Sequence, residues 1–232
     1  MLEATSLYLQ KETYDLQNVS VKGVAYIPQA KTTCGFYAPS YKNTMKKIST
    51  LYKKDPNDLG RVINEINPEN EWVINGEGIP TRKFDGTATA IIDGELYKRY
   101  DVKKGRQVPD GAIPCQEADA ITGHHPHWLK CDRSKNEDKY FFEGFDALEN
   151  KEDGTYELCG KKIQGNPENI EGHRLIKHGC EVLQVPSLDF EDLKAFLSDA
   201  YNDIEAIVFH HKTDGRMCKI RKCDFGIRRA VL

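Results

Sequence analysis

The sequence lacks an apolar run of the length that a membrane-spanning helix needs, about 20 residues. It also lacks a signal-peptide pattern, because residues 1–14 mix charged, polar and apolar side chains. Seven cysteines are an odd count in a chain of 232 residues, which is too long for a disulfide scaffold, so we expect reduced thiols. These absences predict an intracellular protein of the cytoplasm or nucleus, neither secreted nor bound to a membrane.

An excess of positive charge is missing too, since 33 Lys and Arg residues face 36 Asp and Glu residues and the formal net charge is −3. Binding of a nucleic acid would therefore need a local basic patch rather than a field over the whole surface. Hydrophobic residues make up 39% and charged residues 30%, which fits a globular protein with an apolar core. We predict an accessory segment over residues 1–44 and one main domain over residues 45–232.

Periodicity predicts a helix over residues 55–66, with Asp55 as its cap and Pro56 in its first turn. Its apolar face would consist of Leu59, Val62, Ile63 and Ile66. Before this helix, residues 19–27 alternate like a strand and residues 34–41 form an aromatic, turn-like stretch. The accessory segment would thus be a hairpin packed on the main domain.

Residues 87–92 and 95–100 predict the two strands of a β-hairpin, because Asp93-Gly94 between them is a strong two-residue turn signal. Lys83 would lie at the entrance of this hairpin and Arg99 near the end of its returning strand, so that both can approach one pocket. Residues 101–153 are predicted to be mostly loops around a short element at 140–148. A strand at 155–160 follows.

Residues 205–210 and 217–222 predict a second hairpin, preceded by a capped amphipathic helix over residues 187–201. Side chains alternate along a strand, so Lys219 and Arg221 share one face of the second strand. Glu205 begins the first strand. One acidic group and two bases are therefore expected to converge across this hairpin.

The stretch Thr81-Arg82-Lys83-Phe84-Asp85-Gly86-Thr87 has the features of a site with a nucleophilic lysine. An ordinary lysine has a pKa near ~10.4, and lowering that pKa to ~7.5 costs about 4 kcal/mol, so neighbouring cations are needed. The groups that could meet here are Lys83, Arg99, Glu157, Glu205, Lys219 and Arg221. Such cations also hold phosphate oxygens. The alternative is a solvated turn lysine, which a lone Lys-x-Asp-Gly string does not exclude.

The order of these pieces along the chain resembles the covalent nucleotidyltransferases, which include RNA and DNA ligases and messenger-RNA capping enzymes. Lys83-Phe84-Asp85-Gly86 resembles their first motif, and the segments starting at Tyr156, Glu205 and Lys219 resemble the third, fourth and fifth. Residues 72–87, 155–168 and 173–179 are more closely similar to the small 5′–3′ RNA ligase family that includes the vertebrate RNA ligase 1 proteins. The resemblance extends over about residues 45–229.

This resemblance implies an α+β fold, a nucleotidyltransferase domain with two antiparallel sheets flanked by helices around a nucleotide cleft. It implies an ATP-dependent ligase for RNA repair that joins 5′-phosphate and 3′-hydroxyl RNA ends through a lysyl-AMP intermediate and an adenylylated RNA. ATP would donate AMP, and Mg²⁺ or Mn²⁺ would be the metal ion. RNA is the implied partner, and no obligate protein partner is implied.

The resemblance also implies a role for each matching residue. Lys83 would carry the AMP, and Glu205 would hold the metal ion. The nucleotide would be bound by the backbone at Arg82 near the adenine edge, Arg99, Glu157 at the ribose, Lys219 at the α-phosphate, and Arg221. Two positions depart from the usual motifs. Ala206 stands where the fourth motif usually has glycine, and Arg221 where the fifth often has lysine.

Two other functions remain open from the sequence. One is another covalent nucleotidyltransferase, either a capping guanylyltransferase or a DNA ligase. Those enzymes usually carry an OB-fold domain after the fifth motif, and we expect no C-terminal OB-fold here because the chain ends at Leu232. The other is a non-catalytic nucleotide- or RNA-binding module. The cluster His124, His125, His127 and Cys131 matches no standard zinc-site spacing, so a polar loop is expected there.

Overall fold

The computed structural model describes residues 48–120 and 122–229. The predicted strand at 19–27, the aromatic turn at 34–41 and the accessory segment lie outside the described residues, so the domain boundary stays a prediction. All described residues fall within one compact unit. No helix in the described part of the chain combines the length and apolarity that a membrane span requires.

The described residues form a mixed α and β structure with three sheets and two α-helices. In chain order the strands are β1 (Ser49–Thr50), β2 (Tyr52–Lys54), β3 (Val62–Ile66), β4 (Gly78–Lys83), β5 (Thr87–Ile92), β6 (Glu95–Val102), β7 (Ile113–Pro114), β8 (His125–Lys130), β9 (Gly154–Gly160), β10 (His173–Lys177), β11 (Ala206–His211) and β12 (Met217–Arg221). The α-helices are α1 (Lys139–Asp146) and α2 (Phe190–Ser198). Short 3-10 turns span Pro68–Asn70, Asn136–Asp138 and Lys222–Phe225, and a π-helical turn spans Val73–Glu77.

The four-stranded sheet has the order β1-β12-β11-β4, and its pairs are antiparallel except β1 with β12, which is parallel. One face packs against α2 in an apolar core whose fully buried members include Ile207, Phe209, Cys218 and Ile220. Because side chains alternate along each strand, Lys83, Val208 and Lys219 belong to the opposite face. This second face is therefore available for a site.

The six-stranded sheet is antiparallel throughout, with the order β10-β9-β5-β6-β8-β7. Helix α1 covers one face, where Phe145 packs with Ile91, Leu96, Tyr156 and Leu158. The other face carries a small core built around Ala90, Cys115 and Trp128. The alternation of β9 puts Glu157 on this second face, away from α1.

Residues 84–86 connect the two main sheets, and Gly86 is required there for steric reasons. A Cβ atom at position 86 would lie 2.2 Å from the carbonyl oxygen of Leu158, a backbone atom that cannot move aside. The chain therefore passes directly against β9 on its way from Lys83 into β5. This close approach explains the glycine of the Lys-x-Asp-Gly string without reference to any ligand.

The predicted first hairpin is confirmed, since β5 and β6 pair in register from Thr89↔Lys98 to Ile92↔Glu95. Asp93 and Gly94 have positive φ angles of 51° and 76°, as a two-residue turn of this kind requires. The second predicted hairpin is confirmed as β11 and β12, although β11 begins at Ala206 rather than Glu205. The predicted strand at 155–160 is β9, and the short element at 140–148 is α1.

The helix predicted over residues 55–66 is wrong, because this segment is a turn followed by strand β3. The Asp55 and Asp58 carboxylates accept hydrogen bonds from the N–H groups of Asn57 and Gly60, at 2.8 and 2.9 Å. These local bonds compete with helix formation. Leu59, assigned to the buried face, is 73% exposed.

Three further predictions need correction. The prediction of loops over residues 101–153 missed strand β8, which pairs with β6 at six positions. The His and Pro residues of β8 have weak strand propensity, and cross-strand packing overrides it. The helix predicted over 187–201 is limited to α2, and the Asp189 side chain at its start makes no capping hydrogen bond. The four-stranded sheet is not wholly antiparallel, and β2 with β3 adds a third sheet.

Candidate functional site

Lys83 ends strand β4, and its Nζ forms an ion pair with the carboxylate of Glu205, which directly precedes β11. The register explains the contact, since Lys83 lies opposite Ala206. The two side chains are 30% and 25% exposed, so solutes can reach both groups. Burial raises the pKa of Glu205, Lys83 opposes this shift, and Asp85 and Glu157 add to it.

Lys219 and Arg221 lie on the same face of the four-stranded sheet as Lys83. Arg221 and Lys83 both pair with Ala206 from opposite sides, and Lys219 pairs with Val208. Burial, followed by the charges of Arg221 and Lys83, lowers the pKa of Lys219. The face thus concentrates three cations around Ala206, whose methyl group is fully buried.

Arg221 differs from Lys219 in having a fixed partner. Its Nη2 lies 2.8 Å from Oδ1 of Asp224, a side chain with 0% exposure. The same carboxylate binds Lys54 at 2.7 Å. The guanidinium is therefore held in one orientation, whereas the pKa of the Lys219 amine is lowered first by burial and then by the neighbouring cations.

Glu157 lies on β9 with 8% exposure, and both of its carboxylate oxygens have partners. Oε1 accepts the Gly86 N–H at 3.1 Å, and Oε2 lies 2.9 Å from Nε2 of His178. The other ring nitrogen of His178 lies 2.9 Å from the Thr155 hydroxyl. Glu157 consequently connects the segment after Lys83 to the six-stranded sheet through its bond with Gly86.

Arg99 shares a face with Glu157 without contacting it. Glu157 pairs with Ala88, and the register Thr89↔Lys98 puts Arg99 next to Ala88 on the following strand. The backbones at 157 and 99 are therefore about 10 Å apart, two strand spacings. The Arg99 Nε donates to Asp101 at 2.9 Å, and no contact with the other predicted site side chains is found among the described residues.

The Arg82 side chain points away from Lys83, as strand alternation requires. Its Nη2 lies 2.5 Å from Glu168 and its Nη1 3.5 Å from Glu181, and its guanidinium covers the Phe84 ring with 4.7 Å from Cζ to the ring centroid. Its backbone N–H donates to the Glu181 carbonyl at 2.9 Å. The structure thus brings together Lys83, Glu205, Lys219 and Arg221, connects Glu157 through Gly86, and leaves the Arg82 and Arg99 side chains beside this group.

Sequence reasoning missed several residues that hold the site: Glu168, His178, Asp224 and Arg229. The Glu168 carboxylate accepts the Asp85 N–H at 2.8 Å and an Arg229 N–H at 2.8 Å. These residues lie in loops, in a 3-10 turn or at the end of the described chain, where no periodicity marks a buried charge. The signal that could have found Glu168 is its place directly after Asn166-Pro167, within a stretch that already resembled the ligases.

His210 connects the same face of the four-stranded sheet with the six-stranded sheet. Burial, and then the charge of His178, lowers the pKa of His210 from 6.5 to about 4. A Cβ atom on Gly179 would lie 3.4 Å from its ring, so the segment after β10 packs directly against it. His210 is consequently neutral at pH 7.

In the stretches 48–120 and 122–229, no group of three or more His, Cys, Asp or Glu side chains could hold a metal ion. The expected polar loop at His124, His125, His127 and Cys131 is wrong, because most of it is strand β8 and the adjoining buried Cys131. The His127 Nδ1 bonds the His125 carbonyl at 2.8 Å. A pocket next to the site is lined by Asp85, Glu205, Lys222, Cys223, Ile227, Arg228 and Arg229.

Comparison with known families gives one match, over residues 132–231, to the model of RNA ligase 1. A search of curated proteins finds no match. The matched range contains Glu157, Glu205, Lys219 and Arg221, whereas Lys83 precedes it. The resemblance to an RNA ligase family that the sequence predicted is confirmed for this range: residues 132–231 are similar to RNA ligase 1.

Proposed function

We propose that this chain is an ATP-dependent 5′–3′ RNA ligase with a nucleotidyltransferase fold, and that Lys83 accepts AMP in its first step. The observation that supports this most strongly is the amine of Lys83 against the Glu205 carboxylate, on a sheet face that it shares with Lys219 and Arg221. Cations on one face hold phosphate oxygens, and a lysine among them is placed to attack phosphorus.

In this first step the Lys83 amine must leave its ion pair with Glu205 and lose a proton. Its lone pair then attacks the α-phosphorus of ATP, a P–N bond forms, and the bond from phosphorus to the bridging oxygen breaks, so that pyrophosphate leaves with the electron pair. The proton passes to solvent, which reaches both partly exposed side chains, and the Glu205 carboxylate is left without its ammonium partner. Lys219 and Arg221 stabilise the charge that develops on the phosphate oxygens.

Glu205 is the residue that would hold a Mg²⁺ or Mn²⁺ ion at this site. Asp85 and Glu157 raise the pKa of Glu205 further, so a cation there would relieve the repulsion among three carboxylates. Mg²⁺ in such sites binds through one or two carboxylates together with substrate phosphates and water. When bound, the ion would shield phosphate charge.

Glu157 is placed to recognise the ribose. Its oxygens already accept from Gly86 and His178, but a carboxylate offers about four lone-pair positions, so a ribose hydroxyl can be added. In the later steps, AMP would pass from Lys83 to the 5′-phosphate of RNA, and a 3′-hydroxyl would displace AMP to form the phosphodiester.

The test is incubation of the full chain with Mg²⁺ and labelled ATP or GTP, followed by a denaturing gel. Ligation is then assayed on 5′-phosphorylated RNAs with nicks, hairpin breaks or free single strands, and on a 5′-phosphorylated nicked DNA. We expect label on the protein from ATP alone and sealing of at least one RNA. Label from GTP alone would indicate a capping enzyme, and sealing of DNA only would indicate a DNA ligase. Absence of any label would indicate a non-catalytic binding module.

A further inference from the structure

Glu168 is a buried carboxylate in the loop between β9 and β10, and the proposed first step does not use it. Its side chain is only 1% exposed. A carboxylate at this depth is unfavourable unless charged or hydrogen-bonded partners compensate for the loss of water. Burial alone would raise the pKa of Glu168, but Arg229, the Asp85 N–H and Arg82 together lower it. Glu168 therefore stays ionised inside the protein.

The partners of Glu168 lie on both sides of Lys83 in the sequence. Oε2 accepts from Nη2 of Arg82 at 2.5 Å, one residue before Lys83, and Oε1 accepts from the backbone N–H of Asp85 at 2.8 Å, two residues after it. One rigid group thus holds both ends of the turn that carries the amine. Lys83 itself makes no contact with Glu168 among the described bonds.

Arg229 extends this connection to the opposite side of the ion pair. Its Nη1 donates to Oε1 of Glu168 at 2.8 Å, and its Nη2 donates to the Asp203 carbonyl at 3.0 Å. Asp203 stands two residues before Glu205. The guanidinium is 12% exposed, so these bonds form away from bulk water. The unit Arg82–Glu168–Arg229 consequently links the backbone next to Lys83 with the backbone next to Glu205.

We propose that Glu168 is a positioning residue for Lys83, and that with Arg229 it sets the distance and direction between the Lys83 amine and the Glu205 carboxylate. Glu168 touches neither reacting atom. A shift of about 1 Å in a nucleophile can reduce a rate by about 100-fold, so loss of this unit affects the rate of attack rather than the affinity for ATP. The inference rests on the proposed function.

The experiment measures single-turnover self-adenylylation of the full chain at a series of labelled ATP concentrations, for wild type, Glu168→Gln and Glu181→Gln. Glutamine keeps the size of the side chain but directs an NH₂ group at an arginine. Glu181 is the matched control, because its carboxylate also pairs with Arg82 but its side chain is 44% exposed. Its bond to the Arg82 backbone N–H uses the Glu181 backbone carbonyl, which the substitution does not change. For Glu168→Gln we expect a maximal rate lower by about 10- to 100-fold, with the half-saturating ATP concentration changed by less than about twofold. Glu181→Gln should match wild type in both.

Circular dichroism checks that the variants fold. If Glu168→Gln does not fold, Arg229→Gln is measured instead and must show the same loss of maximal rate at unchanged half-saturation. Equal maximal rates in wild type and the folded variant would overturn the inference, and so would a change in half-saturation alone. Failure of wild type to take up label would instead overturn the proposed function, so the two failures are distinguishable.

Discussion

The two main sheets differ in the charge of the faces that carry the candidate site. The four-stranded sheet presents Lys83, Lys219 and Arg221 on one face, while its other face is an apolar core. The six-stranded sheet contributes Glu157, which is bonded to backbone and histidine groups, and Arg99, which is neutralised by Asp101. The first sheet concentrates three cations, of which Lys83 and Arg221 are ion-paired with Glu205 and Asp224, and the second sheet offers hydrogen-bond acceptors.

This difference suggests that the two sheets have different roles in the proposed reaction. Arg221 and Lys83 lie close enough to lower the pKa of Lys219, and the repulsion among these three cations is unfavourable when no anion is bound. The negative oxygens of a bound triphosphate would offset that repulsion. An anchored carboxylate such as Glu157 suits neutral hydroxyl groups. Changes on the four-stranded sheet should therefore act on the rate of the chemical step, and changes on the six-stranded sheet on nucleotide affinity.

The largest effect is expected for Lys83→Ala, which removes the proposed nucleophile. We expect self-adenylylation to fall below detection, a loss of at least about 10,000-fold, with an unchanged circular dichroism spectrum. Lys53→Ala is the control, because Lys53 lies on β2 with its side chain 46% exposed and pairs with the exposed Glu65. Covalent AMP on the Lys83→Ala protein would remove Lys83 from the proposed role.

The next largest effect is expected for Glu205→Ala, also at the four-stranded sheet. Loss of the carboxylate removes the partner of the Lys83 amine and the proposed metal ligand, so we expect a rate lower by about 100-fold and a higher Mg²⁺ requirement. A Mg²⁺ titration of adenylylation measures both. Glu65→Ala, at an exposed ion pair, is the control. A titration curve equal to that of wild type would exclude Glu205 from the site.

A smaller effect, of a different kind, is expected for Glu157→Gln on the six-stranded sheet. Glutamine keeps one oxygen acceptor but loses the charge, so we expect the half-saturating ATP concentration to rise by about 10-fold while the maximal rate falls by less than about threefold. Saturation curves of single-turnover adenylylation give both numbers. The reverse result, a lower maximal rate at unchanged half-saturation, would abolish the distinction between the two sheets.

The smallest effect is expected from His210, which touches both sheets and acts on stability. The unfolded chain protonates this imidazole below its ordinary pKa of 6.5, whereas the folded chain does so only near pH 4. The unfolded state thus binds more protons in this window, and stability falls as the pH is lowered through it, by at most about 3 kcal/mol. His210→Gln should reduce the difference in unfolding free energy between pH 7 and pH 4.5, measured with urea.

The control for this prediction is His124→Gln, because His124 is exposed and its replacement should leave the pH dependence unchanged. The same pH dependence in the His210→Gln and wild-type proteins would show that the imidazole is not buried between the sheets in the way described.

The sequence predicted those parts of the fold that depend on local chemistry. Asp93-Gly94 needs positive φ angles at two adjacent residues, and that requirement identified its hairpin without tertiary information. Residues 62–66 were predicted to be helical, because the spacing of their apolar side chains is compatible with a helix as well as with a strand. Only the pairing with β2 decides in favour of the strand. The strand β8 was missed because its His and Pro residues have weak strand propensity, and only the pairing with β6 makes it a strand.

In the candidate site too, some residues could be predicted from the sequence and others could not. The motif order identified Lys83, Glu205, Lys219 and Arg221 as a group, and strand alternation put the last two on one face, as the structure also has them. Motif order and strand alternation did not identify Glu168, because its three donors, from Arg82, Asp85 and Arg229, are far from it in the sequence and reach it only after folding. Buried charges in loops leave no periodic signal, so the residues that hold a site are harder to predict than those in its motifs.

The central claim is that the amine of residue 83 forms a covalent bond with AMP. The most direct measurement is peptide mass spectrometry of the full chain after incubation with ATP and Mg²⁺, under conditions that preserve a phosphoramidate. We predict one adenylylated peptide, with AMP attached through the side-chain nitrogen of Lys83. AMP attached to another residue, or no adduct while RNA is still sealed, would contradict the account.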